Sequence, residues 1–549
     1  MSGIRPGIEK ALELIEKGHR HIVLELPTGY GKSSGGLEIF SKVNEFDLPE
    51  SRVIHVLPLR AIVEDLARKF YEKLGDRVAY QAGIYGLTAG GICPGSSLAR
   101  RITKSPFFDA DYNVTTFDSF IHNMFKIPVT EVFKDLRHYY IPFERIYTST
   151  IIFDEAHMMV EPDEKKMVAG FMAGLGLLNV MGNLIVIMTA TLTESLRSAL
   201  RKVLGNIRFI RLSGQDKEEG DTIFIHDDEF ENNIGDIKYT VSFIGSAKIV
   251  DKAIELVNDG QKVLIIINNI SLVHNIYEEL KKRGVRVGLI HSELTRRDRA
   301  NVDCKLKDYD VLVGTSAIEA GVDVSFNALI TVPDDAASLV QRVGRVCRYG
   351  ECNGELYFIC EDVVGSGITV NKELCNFLRM HGNKVNWRLP YSRGSNTISY
   401  VEILEKFRDS EKIEVPNNYL LYFKALGRPY IPHELVNYLF RKFNFNLARS
   451  ELIDVYVRGK EEFVKVDVND IFLDSFTIDI KRFISRRELI DCIDALGYID
   501  EGPTLAEDFP VKDFVNSDVT EAFETYSRFV NKYKATPIII IKPNCYRGM

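Results

Sequence analysis

Tryptophan occurs once and cysteine eight times in 549 residues, and no low-complexity stretch or short-period repeat interrupts them. Eight scattered cysteines are too few for a disulfide scaffold. They suggest free thiols and a reducing, cytoplasmic compartment. A bulk excess of positive charge is also missing, since the formal net charge is −8. Binding of nucleic acid through an overall basic field is therefore excluded, while a local basic groove is not. The opening residues, MSGIRPGIEKALELIEKG, carry charges throughout and lack an apolar core segment, so they do not read as a signal peptide. With 45% apolar and 27% charged residues the chain can bury a large core, which excludes disorder as its main state. Its length suggests three to four domains at roughly 150 residues each.

Charge disappears altogether between Met167 and Thr193, a run long enough to span a membrane on length alone. Gly182-Asn183 interrupts it, and the LIVIM that follows is short and β-branched. A buried helix, a turn and a buried parallel strand account for it better than a membrane span. Similar apolar runs (21–26, 52–59, 150–157, 184–191) alternate with amphipathic stretches, which is the rhythm of parallel α/β structure. Residues 216–231 hold eight acids and one lysine and read as a linker or surface insertion. The α/β rhythm then restarts (262–269, 285–292, 310–316, 327–332). Beyond about residue 365 aromatic-rich helical patterns dominate. The expected fold class is α/β, with two tandem parallel-sheet domains over 1–210 and 211–365 and a mainly helical C-terminal domain over 366–549.

The strand at 21–26 runs into PTGYGKSS and then a helix pattern, the context of a phosphate-binding loop. Gly29 and Gly31 let backbone N–H groups converge on phosphate oxygens, with Thr28 and Tyr30 in the same turn. Lys32 would reach the β- and γ-phosphates, and the Ser33 hydroxyl would hold Mg²⁺. Leu26 stands where the strict pattern has glycine. In IIFDEAH, Asp154 and Glu155 close an apolar strand, where parallel sheets bind ligands. Asp154 would hold Mg²⁺, and Glu155 would orient the attacking water. SLVQRVGRVCR places Gln341, Arg345 and Arg348 at helical spacing on one expected face. Always-charged arginine forks at a domain cleft suit a phosphoryl-transfer transition state.

A phosphate loop followed by DEAH resembles the motif pair of superfamily 2 helicases of the DEAH-box type. Other segments are similar to that family's remaining motifs in the same order: VLPLRAIVEDL (56–66), YNVTTFDSF (112–120), Thr189-Ala190-Thr191, IIINNI (265–270), VGTSAIEAGVDVS (313–325) and the QRxGRxxR segment. The resemblance implies two RecA-like domains with ATP between them and Gly321 and Asp323 near the ribose and the cleft. Arg60, Thr115, Thr116 and Thr315 would hold nucleic-acid phosphates, largely without sequence preference. HSELTRRDR (291–299), TSAIEAGVD and DDAASLVQRVGRVCRYG further resemble the CRISPR-associated type I helicase family. That likeness covers about residues 1–365. It implies an ATP- and Mg²⁺-dependent motor on single-stranded DNA, recruited by a crRNA-guided surveillance complex, with no membrane association.

Two departures from that family stand out. Only 26 residues precede Pro27, so a fused HD nuclease is not expected and cleavage would fall to a separate subunit. The single His-Asp dipeptide, His226-Asp227, lacks metal-ligand spacing and reads as a surface pair. The family's adenine-reading glutamine is also missing, with Arg5-Pro6-Gly7-Ile8 at its place. Cys347, Cys352 and Cys360 lack a CxxC pair and read as free thiols. Trp387 reads as core. A general superfamily 2 helicase of DNA repair or RNA processing, and a nucleic-acid-binding scaffold with an inactive ATPase, are the alternative functions.

Overall fold

The computed structural model describes residues 4–546 apart from 46–50, 83–101, 129–130, 132–136, 161–163, 236, 320–323, 351, 362–367, 369, 395, 409–412, 414, 444–445, 449–451, 501 and 510–518. The first sheet takes β1 (His21–Glu25), β2 (Arg52–Leu57), β3 (Val78–Gln81), β4 (Thr103–Lys104), β5 (Tyr112–Thr116), β6 (Ser149–Phe153), β7 (Ile185–Thr189), β8 (Arg208–Leu212), β9 (Lys217–Glu219) and β10 (Thr222–Ile225). Their order is β4-β3-β5-β2-β6-β7-β1-β8-β10-β9. Every pairing is parallel except β9 with β10. Strands β1, β5, β6 and β7 are buried along their whole length, because helices cover both faces of a parallel sheet. The acidic stretch 216–231, expected as a linker or surface insertion, supplies the exposed edge strand β9 and then β10, so the first sheet runs on to Ile225. Asp227 is buried and caps the turn Asp228–Phe230, which corrects the surface reading of His226-Asp227.

The second sheet contains β11 (Tyr239–Phe243), β12 (Val263–Ile266), β13 (Val287–Ile290), β14 (Val311–Gly314), β15 (Ala328–Thr331) and β16 (Gly354–Phe358), all parallel, in the order β11-β16-β15-β12-β14-β13. Two short parallel strands, β17 (Val385–Asn386) and β18 (Ile398–Ser399), bracket a strap between the two sheets. Trp387 enters the core of the second unit against Phe358, and Leu389 enters the core of the first. Arg388 between them is buried and donates to Tyr239 Oη and the carbonyls of Gly344 and Val346.

The C-terminal part is helical through Lys372–His381, Tyr400–Arg408, Asn417–Leu426 and His433–Lys442. It then forms a mixed sheet of β19 (Leu452–Tyr456), β20 (Ser475–Asp479), β21 (Ile493–Ile499), β22 (Pro503–Leu505) and β23 (Ile538–Ile541), in the order β20-β19-β23-β21-β22. The charge-free segment is the helix Lys165–Met181, Gly182 in the left-handed conformation, and then β7. Both faces of that helix are covered. The inner face meets the first sheet, and the outer face meets Phe423, Leu426 and Phe440. Gly170 lets Phe423 approach, since a Cβ there would lie 3.1 Å from its ring. Among the described residues no helix is long and apolar enough to cross a membrane.

Among the described residues the cysteines are not free. Cys347–Cys352, Cys360–Cys375 and Cys492–Cys545 are disulfides with Cα separations of 5.3, 5.8 and 5.9 Å, and Cys304 is disulfide-bonded as well. The fold brings distant cysteines within bonding range, which spacing in sequence does not reveal. The argument from free thiols to a reducing compartment therefore loses its basis. Cys492–Cys545 closes 53 residues of chain. Replacing both by serine is expected to lower unfolding free energy by about 4 kcal/mol in chain-entropy terms. Denaturant unfolding of both proteins without reductant measures this, and equal midpoints would mean that the bond contributes nothing.

Candidate active site

The carboxyl ends of the parallel strands carry almost every residue singled out in the sequence, because loops leaving one edge of such a sheet converge there. The loop after β1 takes φ of +83° at Gly29 and +95° at Gly31, a conformation that side chains disfavour. Lys32 begins the next helix and is buried, and its Nζ donates to the carbonyls of Leu26 (2.8 Å) and Pro27 (3.0 Å). Burial pushes its pKa down, against the opposing pull of Glu155 and Asp154. An ammonium parked on two carbonyls at the loop's base can turn to phosphate oxygens. Tyr30 behaves differently from its neighbours. Its side chain is fully buried, and its hydroxyl accepts from Gly7 N at 3.1 Å, which ties the loop to the first helix.

Asp154 follows β6 and has no exposed surface. Burial opposes its ionisation, but His55, the Ser33 hydroxyl and Lys32 outweigh it and hold its pKa below the usual carboxylate range. His55 Nε2 lies 3.4 Å from Asp154 Oδ2, and its Nδ1 lies 2.8 Å from Tyr112 Oη. The peptide N–H of Glu155 donates to Asp154 Oδ1 at 2.9 Å. A hydroxyl beside an ionised carboxylate is the hard-oxygen donor set that suits Mg²⁺, so Ser33 and Asp154 fit that ion. Sequence reasoning missed His55, because a histidine within an apolar strand carries no motif of its own.

Glu155 takes left-handed backbone angles (φ 49°, ψ 43°) that turn its side chain out of the strand line. Burial raises its pKa, Lys32 opposes this, and Asp154 adds to it. Arg345 and Arg348 of the second unit also act to lower it, so their charge reaches Glu155 across the cleft. Gln341 Nε2 contacts His157 Nε2, His157 Nδ1 lies 3.1 Å from Thr189 Oγ1, and Thr189 Oγ1 donates to Thr191 O at 2.9 Å. One chain of polar contacts therefore joins the QRxGRxxR segment to the DEAH and TAT segments.

The expected helical face for Gln341, Arg345 and Arg348 needs correction. The helix spans Ala336–Val343, so only Gln341 lies on it. Arg345 and Arg348 sit in the turns that follow, where Val346 bridges Phe326 and Cys347 has φ 48°. Arg345 donates to Glu319 O, and the Arg348 N–H donates to Ser325 Oγ at 2.9 Å. The loop set rather than helical spacing aims them. The intervening Arg342 is fully buried and bonds Glu319, Thr331, Val332 and Asp334, fixing this segment to β15. Thr28 packs at the seam, since a Cβ on Gly344 would lie 3.3 Å from its methyl group. Gly321 and Asp323 lie outside the described residues.

The proposed nucleic-acid residues divide. Thr115 is fully buried and its hydroxyl donates to Gln81 O at 2.7 Å, so it secures the end of β5 and is not a surface phosphate donor. Thr116 and Thr315 are also buried, and their hydroxyls accept from Ser119 N and Ala317 N as caps. Arg60 is partly exposed and pairs with Glu64 at 2.9 Å. Burial lowers Lys104 to about 8 and lowers Arg296 too, and the charge of Arg60 adds to both shifts. The charge of Arg60 is thus felt by a cation of each unit. Neither Lys104 nor Arg296 was marked as a contact residue in the sequence, because neither belongs to a phosphate motif. Arg296 and Arg297 also bind the C-terminal sheet, Arg296 through Phe472 O and Asp454, Arg297 through Asp474 and Asp470.

Residues 5–199 match the family described as DEAD/DEAH box helicase. Residues 259–351 match the one described as CRISPR-associated nuclease/helicase Cas3, C-terminal. A curated relative, the CRISPR-associated helicase Cas3 of Thermoproteus tenax, is 25% identical over 358 residues, covering 62% of this chain and 56% of the relative. The chain thus spans little more than half the length of that relative. Among solved structures, the ADP complex of T. fusca Cas3 superposes with a TM-score of 0.60 at 14% identity, covering 99% of this chain and 67% of that one. Its AMPPNP complex gives 0.58 at 13% identity, covering 99% and 68%. A chain of a CRISPR RNA-guided surveillance complex, pre-nicking, gives 0.54 at 13%, covering 87% and 63%. These likenesses establish a shared fold.

Two outcomes follow from the carboxylates. His55→Ala removes the neutral or charged partner of Asp154 and is expected to weaken Mg²⁺ binding about tenfold, the lower end for a lost support of a metal ligand. Titration with Mn²⁺ followed by electron paramagnetic resonance reads it directly. Because the pKa of Glu155 is raised, a base role would fail as pH falls through a value above the ordinary glutamate range. The acid limb of kcat against pH should lie there, and a limb at an ordinary glutamate value would refute the role.

Proposed function

In a chain that is a superfamily 2 helicase of the Cas3 type, we propose a motor that hydrolyses ATP to move along single-stranded DNA. The observation that carries this reading is the contact of Gln341 with His157, which sets the segment bearing Arg345 and Arg348 against the one bearing Asp154 and Glu155. Lys32 and the glycine-turn N–H groups bind the triphosphate. Ser33 and Asp154 would hold Mg²⁺, which would supply positive charge to offset that of the phosphates. Glu155 orients the attacking water and takes up its proton. Arg345 and Arg348 face the charge that grows on the transferred phosphoryl group, an effect that can reach on the order of 10³-fold in rate. Gln341 senses the DEAH histidine across the cleft, so that closure registers at Thr189 and Thr191. Repeated closing and opening would step the two units along a strand.

The strand runs past Arg60, Lys104 and Arg296 in this reading, with contacts to phosphate and little to bases. Recruitment by a crRNA-guided surveillance complex and cleavage by a separate HD nuclease subunit complete the proposed role. Support comes from the likeness to the CRISPR-associated helicase Cas3 of Thermoproteus tenax and from the shared fold.

Steady-state ATP hydrolysis with no nucleic acid, with single-stranded DNA and with single-stranded RNA tests the proposal. Stimulation by DNA is expected, and Lys32→Ala and Glu155→Gln should each abolish turnover. Arg348→Ala should lower kcat more than it weakens ATP binding. Stimulation by RNA alone would move the chain to RNA processing. Normal hydrolysis by Glu155→Gln would refute the mechanism.

A further inference from the structure

Three disulfides have both cysteines among the described residues, and one differs in what it encloses. Cys360 and Cys375 are 15 residues apart and Cys492 and Cys545 are 53 apart, whereas Cys347 and Cys352 are only 5 apart. The stability a crosslink gives through the unfolded chain grows with the loop it closes, so the shortest loop gains least. A bond across so few residues acts chiefly on the shape of the turn inside it. That turn contains Arg348.

Backbone contacts fix the turn at its two ends and leave its middle open. At its start Cys347 is fully buried, and its N–H donates to Phe326 O at 2.7 Å. Its φ of 48° is left-handed backbone, which a residue with a side chain keeps only where its surroundings hold it. Further on, the Gly350 N–H donates to Cys347 O at 3.1 Å, and a Cβ on Gly350 would collide with Asn233 O. Between these points the Arg348 N–H rests on Ser325 Oγ, and Tyr349 is exposed. The turn also faces the ATP site. A Cβ on Gly29 of the phosphate loop would lie 3.8 Å from Arg348 O, and the guanidinium charge reaches Lys32 and Glu155. Any rotation of the turn therefore moves this guanidinium relative to the phosphate loop. The disulfide closes the turn against such rotation, joining its buried start to the partly buried Cys352 just before β16.

We propose that the Cys347–Cys352 disulfide positions Arg348 for the transferred phosphoryl group, so that turnover depends on the bond being intact. Both cysteines act through Arg348 and are positioning residues. The inference rests on the reading of Arg348 as the charge that faces the transferred group, and adds what aims it. A dithiol reductant would open the bond from the less buried side. Its thiolate attacks Cys352 Sγ, the S–S bond breaks, and Cys347 leaves as a thiolate that takes up a proton. The reagent's second thiol, as thiolate, then displaces Cys352, which is protonated in turn. Two electrons have then passed to the protein, and the reagent is left as a cyclic disulfide.

Steady-state ATP hydrolysis with single-stranded DNA tests this on the full-length protein, Cys352→Ala, Arg348→Ala and the double variant, all without reductant. Cys352→Ala should lower kcat about tenfold and leave KM for ATP within about twofold, because a misaimed group costs rate and not ground-state binding. In the Arg348→Ala background the same substitution should lower kcat by no more than about twofold, since no guanidinium is left to aim. A bond that merely steadied the fold would cost the same factor in both backgrounds. If Cys352→Ala fails to fold, dithiothreitol takes its place in the cycle, and it should lower kcat about tenfold in the unmodified protein and no more than about twofold in Arg348→Ala. Unchanged kcat on breaking the bond, or equal losses in the two backgrounds, would overturn the positioning role while sparing the ATP site. Unchanged kcat in Arg348→Ala would overturn the role of Arg348 itself, and this assignment with it.

Discussion

A carboxylate with no exposed surface is the constraint around which this site is built. Leaving the Asp154 charge unpartnered in the interior would cost several kcal/mol. Its neighbours must therefore stand where they do: His55 from β2, Ser33 and Lys32 from the loop after β1, and the N–H of Glu155. Satisfying one buried ion sets the distance between the phosphate loop and two strands. It also explains the turn at Glu155, whose left-handed backbone gives its own N–H to Asp154 and sends its side chain to the cleft. Lys32, with the loop's carbonyls to hold it, belongs to the same balance.

Two other buried cations organise the facing side. Arg342 ties the segment bearing Gln341 to the end of β15, and Arg388 ties the turn at Gly344 and Val346 to the strap. Each guanidinium is surrounded by acceptors, which is the condition for burying it. With these anchors in place, Arg345 and Arg348 leave short turns in defined directions, and neither needs a helix to present it. The C-terminal third sits on both units. Phe423, Leu426 and Phe440 cover the apolar helix of the first, while Asp454, Asp470 and Asp474 hold Arg296 and Arg297 of the second.

The sequence shows the phosphate loop and the DEAH segment clearly, because their chemistry requires fixed residue types at short spacing. The parallel sheets were legible from β-branched runs, and the charge-free stretch resolved into helix, glycine turn and strand as its interruption suggested. Features set by tertiary packing were not legible. Arg345 and Arg348 keep helical spacing in sequence yet lie beyond the helix end at Val343. Thr115 looks like a phosphate donor until its hydroxyl is seen on Gln81 O. The disulfides join residues as far apart as Cys492 and Cys545, which no local pattern predicts. Asp227 reads as one of many acids in a surface run, and only β10 and the turn after it bring it inside.

The attachment of the C-terminal third has two unlike feet. One is a hydrocarbon contact, Phe423 and its neighbours against the helix Lys165–Met181. The other, at the terminal sheet, is a set of ion pairs at partly exposed arginines, beside the apolar packing of Leu374, Phe377, Tyr400 and Leu404 into the second unit. Kosmotropic salts such as sulfate strengthen the first kind of contact, whereas ionic strength screens the second. Raising such a salt would therefore loosen the terminal sheet from Arg296 and Arg297 while the apolar contacts of the C-terminal third with both units hold. A polyanion that met Arg296 would compete for the same guanidinium groups and would act on the terminal sheet in the same direction.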